Sequence, residues 1–104
     1  MNRDVFSALA NPARRQILAA LREGPRPVTE LSRSFSIGRP AVSEHLQVLR
    51  QAGLVREEPR GRERYYHLDP RPLGEVEAWL ATFTHYWTAR MQALETLLDR
   101  EKDR

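Results

Sequence analysis

The sequence predicts a mainly α fold that carries one small β-hairpin, an α+β chain. Three observations in its 104 residues lead there. Apolar residues recur at helical spacing through most of the chain; a run rich in valine and tyrosine, broken by a glycine-containing loop, occurs once, near residues 54–69; and Asn-Pro, Gly-Pro and Asp-Pro pairs divide the segments. The length admits one domain, 1–104, large enough for a core of its own and ending in a long helix over about residues 70–100.

The first segment sets Val5, Phe6 and Leu9 on one side and ends at Asn11-Pro12. An Asn side chain can accept from an otherwise orphaned helical amide, and Pro has no amide to orphan, so a second helix starts there. It carries Ile17, Leu18 and Leu21 and stops at Gly24-Pro25. A third helix starts after Thr29, with Glu30 in its electropositive first turn and Leu31 and Phe35 facing inward. Ser36-Ile37-Gly38 then turns the chain into helix 39–52, which closes at Gly53. Two helices joined by so short a turn form a helix-turn-helix. In its second helix Val42, Leu46 and Leu49 share the anchoring face, and Pro40, Ser43, Glu44 and Gln47 lie opposite.

Residues 54–59 and 64–69 form the hairpin around Arg60-Gly61-Arg62-Glu63, with Gly61 as the turn residue. Alternation sends Tyr66 and Leu68 inward, and Tyr65 and His67 outward. Asp69-Pro70 caps the last helix. Taken as one continuous helix, Leu73 through Leu98 place eleven apolar residues within a sector of roughly 140°. A domain of this size cannot cover so long a stripe alone. It is therefore divided between the chain's own core and a second copy, with Leu80, Phe83, Trp87, Met91 and Leu94 as candidate contacts. A strict heptad would pass through Arg90, so the twin helices run nearly straight. Arg90 must then snorkel or pair with Glu95 or Glu101, or mark the edge of a pocket for an anionic effector.

Charge has two readings, a polyanionic partner or a genome-wide bias toward arginine. Of 17 basic residues 16 are arginine; residues 1–72 carry net +5 and residues 73–104 net −2. A positive front suits a polyanion, and arginine suits bidentate contact with phosphate or guanine. The outward residues of helix 39–52 are short or polar enough for a major groove. Arg39 stands at the start of that helix, and Arg56, Arg60, Arg62 and Arg64 of the hairpin are placed for phosphates or a narrow minor groove. Glu57, Glu58 and Glu63 lie close enough to neutralise some of them. The absence of cysteine excludes disulfides, thiolate metal sites and thiol nucleophiles. There is no glycine-rich phosphate loop and no nucleophile–base pair, which speaks against an enzyme. No apolar run spans a bilayer, and the first residues do not read as a signal peptide, so a cytoplasmic protein that binds no membrane is expected.

The segments ALANPARRQILAAL (8–21), VTELSRSFSIGRPAVSEHLQVLRQAGLV (28–55) and GRERYYHL (61–68) resemble the ArsR/SmtB family of winged-helix repressors. The resemblance implies a winged helix-turn-helix homodimer on a pseudo-palindromic double-stranded operator. It implies that the first and last helices meet at the dimer interface, which adds Phe6 to the contacts above. It puts Arg39, Pro40, Ser43 and Glu44 at groove-reading positions, joined by Gln47 on the same face, and Arg60, Arg62 and Arg64 in the wing. The chain departs from the family's metal sensors. It lacks their cysteine pair, and His85 is preceded at the relevant offset by Phe83 rather than an acid. His45, at the edge of the core, and His67, in the hairpin, complete no site, so neither metal nor cofactor is expected, as in simple autorepressors. The competing expectation is a winged-helix module that docks on protein and reads no DNA.

Overall fold

Residues 4–102 are described by the computed structural model. The order is α1 (Val5–Leu9), α2 (Pro12–Leu21), β1 (Arg26–Pro27), α3 (Val28–Phe35), α4 (Arg39–Gln51), β2 (Val55–Arg60), β3 (Glu63–Leu68), α5 (Leu73–Ala81) and α6 (Thr84–Lys102). The chain divides into two compact units, one running to Gly74 and the other from Glu75.

In the first unit, caps and apolar spacing decide the helices. Asp4 accepts from the Phe6 amide at 3.0 Å, and Asn11 accepts from the Arg14 amide at 3.2 Å with Pro12 behind it. Ile17, Leu31, Val42, Leu46, Leu49 and Leu54 are fully buried at the centre of the packed helices. Removing a side chain of this kind from water contributes roughly 1.5–3 kcal/mol. Helix α4 ends in a Schellman motif: Leu54 N–H donates to Leu49 O and Gly53 N–H to Arg50 O, both at 2.9 Å. Gly53 takes φ +78°, and both leucines of the motif lie in the core. The cap thus launches the chain from the helix into β2.

The sheet has three antiparallel strands in the order β1-β3-β2. Arg60 pairs with Glu63, so the expected four-residue loop is a two-residue turn, Gly61-Arg62. Positive φ at Gly61 alone (+60°) fits a type II′ turn. Strand β1, which pairs Arg26 with Tyr66 and Pro27 with Tyr65, was not anticipated; two residues have no alternation to read. Pro27 leads straight into α3, which begins at Val28 rather than after Thr29.

Two further expectations are corrected. Asp69 does not cap the last helix; it accepts from the Arg71 amide and guanidinium, and the helix begins at Leu73. Nor is that helix continuous. At Thr82 and Phe83 the amides donate to Trp79 O and Leu80 O, three residues back, and the Thr82 hydroxyl also binds Trp79 O at 2.7 Å. This local alternative to the α ladder breaks the rod into α5 and α6 and shifts the phase of the apolar stripe.

Gly53→Ala should destabilise the first unit by about 1–2 kcal/mol, because a Cβ is strained at that φ. It would also stand 3.4 Å from Pro72 Cγ. Gly74→Ala, with nothing within 4 Å of the added carbon, should be neutral or mildly stabilising. Urea unfolding of both variants checks the contrast.

Candidate nucleic-acid interface

The buried Val42, Leu46 and Leu49 fix the rotation of α4, so that Arg39, Pro40, Ser43, Glu44 and Gln47 are all exposed. Arg14 braces this helix from α2. Its Nε donates to Ala8 O at 2.7 Å, Nη2 to Ser7 O at 3.3 Å, and Nη1 to His45 Nδ1 at 3.5 Å. His45 is a hydrogen bonder at the edge of the core, as its place on the helix predicts.

Two carboxylates organise the wing. Glu57, 13% exposed, accepts from Arg50 Nη1 at 3.1 Å, from the Tyr66 hydroxyl at 3.3 Å and from Arg64 Nη1. It therefore links the last turn of α4 to both long strands. Glu58 accepts from Arg60 Nε at 2.7 Å and lies 2.9 Å from His67 Nε2. The Arg60 guanidinium also stacks 4.3 Å from the centre of the Tyr65 ring. The arginines around the wing tip are thus not equivalent. Arg60 and Arg64 are paired with acids, whereas the guanidinium of Arg62 makes no hydrogen bond or ion pair among the described residues; nor does that of Arg39.

Those two unpaired cations line one groove. Together with Ser43, Arg64, Thr29 and Glu63 they border a cleft of about 290 Å³ between the start of α4 and the wing tip. The Thr29 hydroxyl donates to Glu63 at 3.4 Å. Glu44 and Gln47 line a separate hollow of about 310 Å³ with Val48 and Gln51. Ser43 and Gln47 also edge a third hollow beside Arg50 and Glu57. The structure therefore gathers Arg39 and Ser43 with the wing and leaves Glu44 facing elsewhere. Sequence reasoning passed over Arg50 and Thr29. Each acquires its role from a partner 7 and 34 residues away, respectively, and neither pairing leaves a local signature.

In the second unit Leu80, Phe83, Trp87, Met91 and Leu94 are 42–55% exposed in the single chain; Phe6, in the first, is half-buried. Trp79 meets Phe83 edge to face at 5.1 Å, and Tyr86 meets Trp87 likewise at 6.1 Å. Arg90 pairs with neither Glu95 nor Glu101; its guanidinium lies 4.6 Å from the centre of the Tyr86 ring. Among the described residues no three His, Asp or Glu side chains gather where they could hold a metal ion, and no helix is long and apolar enough to cross a membrane.

The model of the family described as "bacterial regulatory protein, arsR family" matches residues 11–57. The HTH-type transcriptional regulator Rv2034 of Mycobacterium tuberculosis is 42% identical over 98 residues, 94% of this chain and 89% of that protein. The transcriptional repressor SdpR of Bacillus subtilis is 32% identical over 80 residues, 77% of this chain and 89% of that one. The crystal structure of the ArsR family transcriptional regulator RHA00566 superposes with a TM-score of 0.71 at 37% identity, covering 80% of this chain and 86% of the other.

The His67 hydrogen bond first, then that of Arg60, holds the Glu58 carboxyl below its ordinary range. A depressed carboxylate contributes stability above its unfolded pKa and loses it as pH falls through the folded value. His67→Phe should therefore raise the Glu58 midpoint more than Arg60→Ala does. Carboxyl-carbon NMR titration reads both; equal midpoints in all three proteins would remove the assignment.

Proposed function

This chain belongs to the ArsR family of bacterial transcriptional regulators, and from that premise we propose that it acts as a homodimeric, metal-independent repressor on a pseudo-palindromic operator in the cytoplasm. Each α4 lies in a major groove, and the wing beside it contacts the backbone or the adjacent minor groove. Two such helices address half-sites about 34 Å apart. The observation that carries this reading is the side-by-side exposure of a short, polar helix face and two cations with no acid to satisfy them. A protein-docking module would instead show no operator preference.

The roles divide by geometry. Glu44 stands apart from the wing, while Gln47 also edges the hollow shared with Glu57 and Arg64; both read base edges, since a carboxylate accepts from cytosine N4 and Gln pairs with adenine. Pro40 starts the helix close to the duplex. Arg39, Ser43 and Arg62 meet phosphate, while Arg60 and Arg64, already balanced by Glu58 and Glu57, contribute less. Dimerisation uses the first and last helices, through Phe6, Leu80, Phe83, Trp87, Met91 and Leu94. A footprint on the DNA immediately upstream of the chain's own reading frame tests the whole reading. Specific binding there should fall about 10³-fold or more between 50 and 200 mM salt if six or more phosphates are engaged. Absence of any protected promoter segment would overturn it.

Arg62→Ala should weaken binding to all duplexes alike and lower the salt slope by about one per subunit, with smaller effects from Arg60→Ala. Glu44→Ala should instead change discrimination at single base pairs by about 1–3 kcal/mol. Binding isotherms on specific and scrambled duplexes separate the two classes. Trp87→Ala should shift the monomer–dimer equilibrium toward monomer in sedimentation equilibrium and weaken operator binding in step.

A further inference from the structure

The groove between α4 and the wing does more than collect positive charge. A protein that puts one element in a major groove and its neighbour in the adjacent minor groove must straddle the sugar–phosphate strand between them. The open cleft of about 290 Å³ separates those two elements. Its opposite walls carry Arg39 and Ser43 on the helix side and Arg62 on the turn of the wing. The guanidiniums of Arg39 and Arg62 bind no other group among the described residues, and the adjoining first turn of α3 has no side-chain cap on its amides. Arg64, the third cation in the wall, is held by Glu57 and is therefore a fixed boundary more than a ligand. Glu63 also lines the cleft and opposes an anion there, restrained by the Thr29 hydroxyl.

We propose that this groove is a seat for a single phosphodiester of the bound duplex, gripped from the helix side by Arg39 and Ser43 and from the wing side by Arg62. The proposal rests on the DNA-binding reading above and refines it: Arg39 belongs to backbone positioning, and the helix and wing are coupled through one shared phosphate. Two cations on one phosphate act as a unit, so their loss is not additive. The charge that Arg39 and Arg62 neutralise is counted once in the salt dependence, not twice.

The test uses a short duplex selected from a random pool by the wild-type chain, with each phosphate replaced in turn by neutral methylphosphonate. One position per half-site should cost the wild type roughly tenfold or more. At that same position Arg39→Ala and Arg62→Ala should each be much less sensitive. The salt slope should drop by about 0.9 per subunit in either variant and by no more in the double variant. Glu63→Gln should tighten binding by severalfold. Loss of sensitivity at two different phosphates, or a double-variant slope change near twice the single one, would overturn the shared seat while leaving DNA binding intact. If no duplex is selected, the functional reading itself fails. Inorganic phosphate supplies the remaining arm: micromolar binding that shifts the Arg39 and Arg62 side-chain NMR signals, with a flat methylphosphonate scan, would assign the groove to a free anion and overturn the proposal.

Discussion

The working surface depends on one partly covered carboxylate. Glu57 is the point at which the last turn of α4, through Arg50, is tied to the two long strands, through Arg64 and Tyr66. The hydrophobic core fixes how α4 is rotated, but it does not reach the wing tip, whose residues 59–64 are exposed. Without a tie at its base, a two-stranded ribbon that projects into water would sample many angles to the helix. Burying an ion pair seldom adds net stability, since desolvation offsets the attraction. What the pairing supplies is direction. The Tyr66 hydroxyl helps by binding the same carboxylate, and burial together with that negative charge pushes its phenol above the usual range.

The same tie sets the electrostatics. Hairpin and helix together look strongly basic in the sequence, yet Arg50, Arg60 and Arg64 spend their charge on Glu57 and Glu58. Net charge on the front of the chain is therefore a poor guide to where a polyanion would settle. The useful quantity is which cations lack an internal partner, and Arg39 and Arg62 share one groove. Arg62 is held there by the turn. Gly61 takes the positive φ that the turn requires, so Arg62 need not, and its side chain leaves the hairpin at the tip. A looser loop would leave that cation no fixed partner across the groove.

Much of this was legible in the residues, for identifiable reasons. Asn11-Pro12 marks a helix start because both residues act within one turn. Val42, Leu46 and Leu49 reveal the inner face of α4, and by subtraction its outer face, because burial follows the helical period. The hairpin was legible from its residue preference, although its turn proved two residues shorter than expected. What stayed hidden depends on long-range pairing or on competition within a turn. β1 exists only because β3 lies beside it. Thr29 reads as a residue preceding a helix, but its hydroxyl is drawn to Glu63. A wheel cannot see Thr82 redirect its own hydroxyl to Trp79 O, and so it ran one helix through a break.

That break bears on how two copies would meet. A single rod would have offered one straight stripe; instead the aromatics divide between the end of α5 and the start of α6, with Phe83 in the turn between them. Trp87, Met91, Leu94 and Leu98 still follow one face of α6 at alternating steps of four and three residues. All are close to half exposed in the single chain. A contiguous apolar surface of this kind is costly to leave in water. In the homodimer proposed above, two-fold symmetry would let this stripe cover its own copy. Arg90, lying over Tyr86, keeps its charge on a ring face and need not be desolvated for such a contact to form.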